Sequence, residues 1–224
     1  MLNPRRIVLL VLMSMSMSVS GVLAQGKSEK SPVKVDKSPV TVVTKYFDPK
    51  RPPADMPKLK ANEAAVCVSN FSINAGAGGE VTDQTDSATG IRATVKLERI
   101  TLQIGCEIVI WLPKKAPQKM VEHEDGHRQI TERFYATADQ VALKLARPWI
   151  DRQVVGTDQD VNSASRRAIE SAVQQITAQY MSAVHGESTK VQEAYDRITV
   201  HGTNKLTAKQ GMEKSFDEYE RGRR

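Results

Sequence analysis

The sequence predicts an α+β protein in which a small antiparallel sheet is followed by a motif helix and a long helical segment that returns antiparallel to it. Residues 62 to 112 are rich in valine, isoleucine and threonine and largely alternate apolar with polar side chains, which is typical of strands with one buried face. Residues 117 to 202 repeat apolar side chains every three to four positions, which indicates amphipathic helices. Strands first and helices second is an α+β order.

The first 24 residues have the features of a cleavable signal peptide. Arg5 and Arg6 precede an apolar, small-residue run over positions 7 to 19, and Val22-Leu23-Ala24 fits a cleavage site after Ala24. The run is short and interrupted by serines, which argues against a permanent membrane anchor. The sequence therefore predicts a secreted or periplasmic product.

The mature chain is expected to be mildly basic and to begin with a tether. Loss of two arginines with the leader reduces the formal charge of +6, and the low aromatic content and lack of a glycine-rich phosphate loop give no support for a nucleic-acid partner. Residues 25 to 60 are rich in lysine, proline, serine and valine, which predicts a flexible tether. Val40 to Phe47 is a candidate short strand within it.

The sheet region is expected to contain three or four antiparallel strands. Residues 74 to 90 are rich in glycine, aspartate, serine and threonine, as turns and loops are. Cys67 and Cys106 lie in separate predicted strands and are the only cysteines. In an exported protein this indicates one disulfide, which would add about 3–4 kcal/mol of stability. A cysteine nucleophile is the alternative, but the apolar run around Cys67 favours structural pairing.

The motif helix carries His123-Glu124-Asp125-Gly126-His127, an HExxH arrangement. Residues four apart lie on one face of a helix, so His123 and His127 can hold one zinc ion while Glu124 acts as general base towards a water molecule. Gly126 costs about 1 kcal/mol inside a helix, which points to a substrate or a second helix close by.

The helix boundaries follow from prolines and capping residues. The motif helix is expected to start near Pro117 and to end before Pro148. Thr157 to Asp160 can cap a second helical segment, which Gly186 is placed to break or kink. The antiparallel return of this segment would bring its far end to the motif. Residues 216 to 224 form a charged tail.

A catalytic zinc needs three protein ligands and one open position. The strongest downstream candidate is Tyr195-Asp196-Arg197-Ile198-Thr199-Val200-His201-Gly202, which gathers a histidine, an aspartate and a tyrosine in one short stretch. Glu132 and Glu170 are acidic alternatives that no other feature supports.

The two motifs together resemble those of a bacterial family of otherwise unknown function, whose members are predicted secreted zinc-dependent proteases with HExGH and YDxxTxHG segments. The resemblance covers roughly residues 62 to 215 and implies a zincin-like metallohydrolase domain over 61 to 215. It implies that His123 and His127 are zinc ligands, that Glu124 is the base and that His201 is the third ligand. Asp196 is the alternative third ligand.

These observations predict a zinc-dependent peptidase that acts on a polypeptide substrate. Tyr195 is a candidate for stabilising an oxyanion, with packing on the motif helix as the alternative. The other function considered is a non-catalytic envelope protein, for metal binding or interaction, with a vestigial site. Four protein ligands around the metal would favour that function, whereas an open position favours the enzyme.

Overall fold

The computed structural model describes residues 31–60, 63–88 and 90–223. The predicted signal peptide, with its cleavage site after Ala24, lies outside these residues. Among the helices that are described, none is both long enough and apolar enough to cross a membrane.

The sheet has five strands, and its central strand pairs with each of the other four. The strands are β1 (Val33–Lys37), β2 (Thr41–Phe47), β3 (Val66–Ser87), β4 (Gly90–Pro113) and β5 (Gln153–Asp158). The central strand is β4. β2 runs parallel to it, whereas β5 runs antiparallel. Backbone hydrogen bonds join Ile100 to Pro32 and Ser38 to Ile104. Both residue numbers increase together, so β1 also runs parallel to β4.

The prediction of an α+β fold with a small antiparallel sheet is wrong. The protein combines helices with a five-stranded sheet in which parallel pairing is prominent, which is an α/β arrangement. An alternating pattern identifies the buried face of a strand but carries no information on the direction of its partner. The parallel strands also come from the segment that was expected to be a flexible tether.

The tether prediction for residues 25 to 60 is corrected over residues 31 to 60 by β1 and β2, whereas residues 25 to 30 lie outside the described part of the chain. Val33 and Phe47 are almost fully buried, so this segment contributes apolar side chains to the core despite its lysines and prolines. The candidate strand over Val40 to Phe47 corresponds to β2.

The turn-rich loop predicted over residues 74 to 90 is mostly strand, because β3 continues through it to Ser87. Gly79 lies against the backbone of β4, where a Cβ atom would be 2.0 Å from the carbonyl oxygen of Lys96. The glycine here allows two strands to approach closely and does not mark a loop.

The helical part is more divided than the sequence predicts. The helices are α1 (Gln118–Ala136), α2 (Ala138–Ala146), α3 (Val161–Met181), α4 (Glu187–Thr199) and α5 (Ala208–Arg221). The expected motif helix is interrupted at Thr137, which has φ −106° and ψ 9°.

Asp160 caps α3 by accepting hydrogen bonds from the backbone N–H groups of Asn162 and Ser163, as predicted. Gly186 ends a π-helical turn, Ser182–Gly186, between α3 and α4.

The predicted charged tail over 216 to 224 is largely helical. Its residues up to Arg221 belong to α5, and Phe216 is buried with Ile130, Val191 and Tyr195. These four side chains form the core where α1, α4 and α5 pack together.

The chain divides into two compact units. Among the described residues, the first contains those from 31 to 36, from 74 to 103 and from 142 to 179, and the second contains those from 37 to 73, from 104 to 141 and from 180 to 223. In the first unit, α3 packs so closely on β5 that a Cβ atom at Gly156 would lie 2.1 Å from the carbonyl oxygen of Ala164. Every predicted site residue except the acidic alternative Glu170 belongs to the second unit.

Candidate metal centre

The two motif histidines meet one turn apart on α1. Both are buried, and their Nε2 atoms lie 3.3 Å from each other. This closeness follows from the four-residue spacing, which places both side chains on one face of the helix.

Asp196 of α4 supplies a third donor atom to this pair. Its Oδ1 atom lies 2.9 Å from Nε2 of His127 and 3.3 Å from Nε2 of His123. Zinc bonds of about 2.0–2.1 Å in tetrahedral geometry separate neighbouring ligand atoms by about 3.3 Å. The chemistry and spacing of the three donors therefore fit a zinc ion.

His201, the third ligand that the resemblance implies, lies beside Asp196. Its Nδ1 atom is 3.6 Å from Oδ1 of Asp196 and 3.9 Å from Oε1 of Glu63. Asp196, the alternative ligand, is the residue that joins the two motif histidines in one donor group, whereas His201 belongs to a second group with Glu63 and Asp196.

A left-handed turn positions His201. Val200, His201 and Gly202 have φ angles of 51°, 48° and 75°, and the N–H of His201 donates to the carbonyl oxygen of Asp196. Two successive non-glycine residues with positive φ are uncommon, and a β-branched residue there is strained. A Cβ atom on Gly202 would lie 2.8 Å from Cγ of His123, so glycine is needed for both conformation and space.

Gln192 of α4 orients His127, and neither sequence motif includes it. Its Oε1 atom lies within hydrogen-bond distance of Nδ1 of His127, and its Nε2 atom donates to the backbone carbonyl of His127 and to Oγ1 of Thr131. An Nδ1–H donor to Gln192 leaves the lone pair of Nε2 free for a metal. Gln192 precedes Asp196 by four residues on the same helical face, which is the signal that could have identified it.

Replacement of Gln192 with leucine is expected to weaken zinc binding about 10- to 100-fold, because His127 loses the acceptor that fixes its ring. Competition titration against a chromophoric chelator measures the change. Gln192→Glu keeps an acceptor oxygen and should retain most of the zinc affinity. Gln174→Leu makes the glutamine-to-leucine change at an exposed position on α3 and is the control, which should keep wild-type affinity. Equal affinities for Gln192→Leu and Gln192→Glu would show that Gln192 does not orient the ring.

Charge and burial act in opposite directions on this cluster. Burial lowers the pKa of His123 overall. For His127, burial also acts to lower the pKa, but the hydrogen bond and charge of Asp196 outweigh it and raise the pKa. Burial acts to raise the pKa of Asp196, but its hydrogen bonds with both histidines bring that pKa well below the ordinary value. Asp196 therefore stays a carboxylate, which is the form that binds metal.

Tyr195 packs against both imidazoles. Its ring is stacked on His123 and edge-on to His127, with centroid distances of 4.9 Å in each case. Its hydroxyl donates to the backbone carbonyl of His123 at 3.4 Å. A Cβ atom on Gly126 would lie 2.2 Å from this hydroxyl oxygen, so Gly126 makes room for α4. This placement agrees with the packing alternative for Tyr195.

Gly126→Ala is expected to destabilise the protein by about 2 kcal/mol, because overpacking against Tyr195 exceeds the gain in helix propensity. Thermal unfolding should show a lower melting temperature. Gly186→Ala is the matched control, since its added Cβ atom would come no closer than 3.8 Å to its nearest neighbour, the carbonyl oxygen of Met181. Equal stability of the two variants would contradict the close contact.

Glu124, the predicted base, is buried and lines the same pocket as the three donors. The pocket has a volume of about 620 Å³ and is also lined by His201, Glu63 and Cys67. Burial raises the pKa of Glu124 to about 7, although the charge of His127 and a hydrogen bond from the Cys67 backbone act in the opposite direction. The site thus combines a proton acceptor and a group of candidate metal-binding atoms in one pocket.

The predicted disulfide between Cys67 and Cys106 is wrong, since both are free thiols. Gly105 lies against Ser72, which places Cys106 near Phe71, four residues from Cys67 along β3. Four residues of strand span about 13 Å, whereas bonded cysteines need Cα atoms within about 7 Å. Burial raises the pKa of both thiols, which makes them poor nucleophiles.

Comparison with known proteins gives no relative from which a role could be transferred. Neither protein-family models nor curated proteins nor solved structures match this chain. The resemblance to secreted zinc-dependent proteases therefore stays a prediction that depends on the two motifs alone.

Proposed function

We propose that the protein is a zinc-dependent peptidase, with His123, His127 and Asp196 as metal ligands and Glu124 as general base. The observation that carries the proposal is the convergence of three donor atoms at zinc-like separations in a pocket that Glu124 also lines. A hydrolytic metal site requires a base close to its ligands, and the buried Glu124 in the same pocket supports that role.

The chain's own groups have separate tasks in this reaction. A zinc ion would polarise the substrate carbonyl and lower the pKa of water towards 7. Glu124 accepts a proton from the attacking water and returns it to the leaving amine. Gln192 holds His127 in orientation, and the stacked ring of Tyr195 fixes His123 from behind.

The pocket favours an extended polypeptide as substrate. Val66, Ser69 and Phe71 of β3 contribute to its lining. Within the described part of the chain, β3 pairs with β4 alone, which leaves the backbone groups on its other edge for another strand. An extended peptide can add to such an edge through main-chain hydrogen bonds. The secreted or periplasmic location is part of the proposal and depends on residues 1 to 24.

A non-catalytic metal-binding role is the second candidate, because the proximity of His201 to Asp196 offers a fourth protein donor. Full closure by four protein ligands leaves no position for substrate. In that case the protein binds zinc but cleaves nothing.

The deciding experiment measures metal content and cleavage on the same purified protein. We expect bound zinc by elemental analysis, cleavage of unfolded casein, loss of cleavage with 1,10-phenanthroline and recovery on addition of zinc. Zinc-free protein with full activity would refute the proposed mechanism. Zinc-loaded protein that cleaves neither casein nor a mixed peptide library would establish the non-catalytic alternative.

A further inference from the structure

We infer that the pocket holds a second divalent cation at Glu63, Asp196 and His201, which shares Asp196 with the first site. One donor atom from each of these three residues lies within 4.8 Å of the other two. Two carboxylates and one imidazole form a ligand set that suits zinc or manganese. This inference rests on the proposed function, because Asp196 is also the third ligand of the first ion.

The bridging position of Asp196 is the central observation. Its Oδ1 atom lies within 3.6 Å of the nearest ring nitrogens of His123, His127 and His201. A carboxylate can bridge two cations through one oxygen or through both, and the three contacts of Asp196 all involve Oδ1. Enzymes that use two metal ions hold them about 3.5–4 Å apart, a separation that a shared carboxylate can produce.

The surroundings of the second group favour a cation. The side chains of Glu63 and Asp196 are 12% and 18% exposed, and that of His201 is 33% exposed. Two partly desolvated carboxylates in one pocket favour the binding of a cation, and only Asp196 of the two belongs to the first donor group. Lys60 contacts Glu63 at 3.6 Å, but its own side chain is 74% exposed, so an entering cation can displace it with little loss.

The separations also distinguish this group from the first. Its contacts of 3.6 Å and 3.9 Å are longer than those among His123, His127 and Asp196. Small side-chain movements would bring the three donors to a common ion. The expected result is a second, weaker site that fills after the first.

The test is the zinc stoichiometry of the full chain, measured by calorimetric titration of the metal-free protein. The wild-type protein should bind two ions per chain with different affinities. Glu63→Gln and His201→Ala should each bind one ion and keep the tighter site. Glu193→Gln removes the same charge from another pocket-lining residue and should still bind two.

Cobalt substitution gives an independent reading of the shared ligand. Spin coupling between two Co²⁺ ions is expected in the wild-type protein and should be lost in Glu63→Gln. A single ion per chain in the wild type, or two ions in Glu63→Gln, would overturn the inference, as would loss of the tight site in His201→Ala. One ion with chelator-sensitive cleavage would leave the proposed function intact, whereas two ions without cleavage would refute only that function.

Discussion

Glu124→Gln is expected to lower kcat about 10²- to 10⁴-fold while bound zinc is retained. Glutamine preserves the shape of the side chain but cannot accept a proton from water. Glu124 lies outside the group formed by His123, His127 and Asp196, so its replacement removes no ligand. Single-turnover cleavage and zinc content, measured on one preparation, separate the two effects.

Glu122→Gln is the matched control for this prediction. Glu122 lies on the same helix, is exposed and accepts a hydrogen bond from the side chain of Gln118. The Glu122→Gln substitution makes the same chemical change at a position outside the group of metal-binding atoms, so this variant should keep wild-type turnover. A Glu124→Gln protein with wild-type activity would remove Glu124 from its role as base.

Asp196→Ala is expected to weaken zinc binding at the tight site more than about 100-fold, because a directly bound ligand contributes more than the groups that orient it. His201→Ala should leave the tight site nearly unchanged, since His201 is not in the donor group of the two motif histidines. Competition titration with a chelator of known affinity measures both variants. Circular dichroism shows whether each remains folded.

Asp217→Ala, at an exposed position on α5, serves as the control for loss of an aspartate. The comparison also tests the ligand set implied by the family resemblance. Loss of zinc in His201→Ala with retention in Asp196→Ala would make His201 the third ligand and Asp196 a residue that orients it.

The local features of the site and of the helices could be predicted because they depend on helix geometry alone. His123 and His127 converge through their four-residue spacing, and Asp160 caps α3 through a side chain that reaches the next turn. The sheet could not be predicted in the same way. The pairing of β2 with β4 joins Thr41 to Glu107, and no local pattern reports so distant a partner or its direction.

The sequence could not decide whether Asp196 or His201 is the third metal ligand, for a different reason. Asp196 lies in the last turn of α4 and His201 lies just beyond its end, so the backbone of Val200 to Gly202 determines the direction of the His201 side chain. Valine rarely adopts positive φ, so the left-handed turn had no sequence signal apart from Gly202. Gln192 was within reach, since its four-residue spacing to Asp196 repeats the spacing within the motif itself.

Under the proposed function, the distribution of the donors along the chain links metal supply to the stability of the fold. His127 and Asp196 are 69 positions apart, and an unfolded chain does not hold them together, so an ion bound by both would act as a reversible crosslink between two helices. An ion that binds only the folded form would add about 4 kcal/mol to the free energy of unfolding when the free ion concentration is a thousand times the dissociation constant. Metal depletion would then destabilise the folded protein as well as abolish its activity.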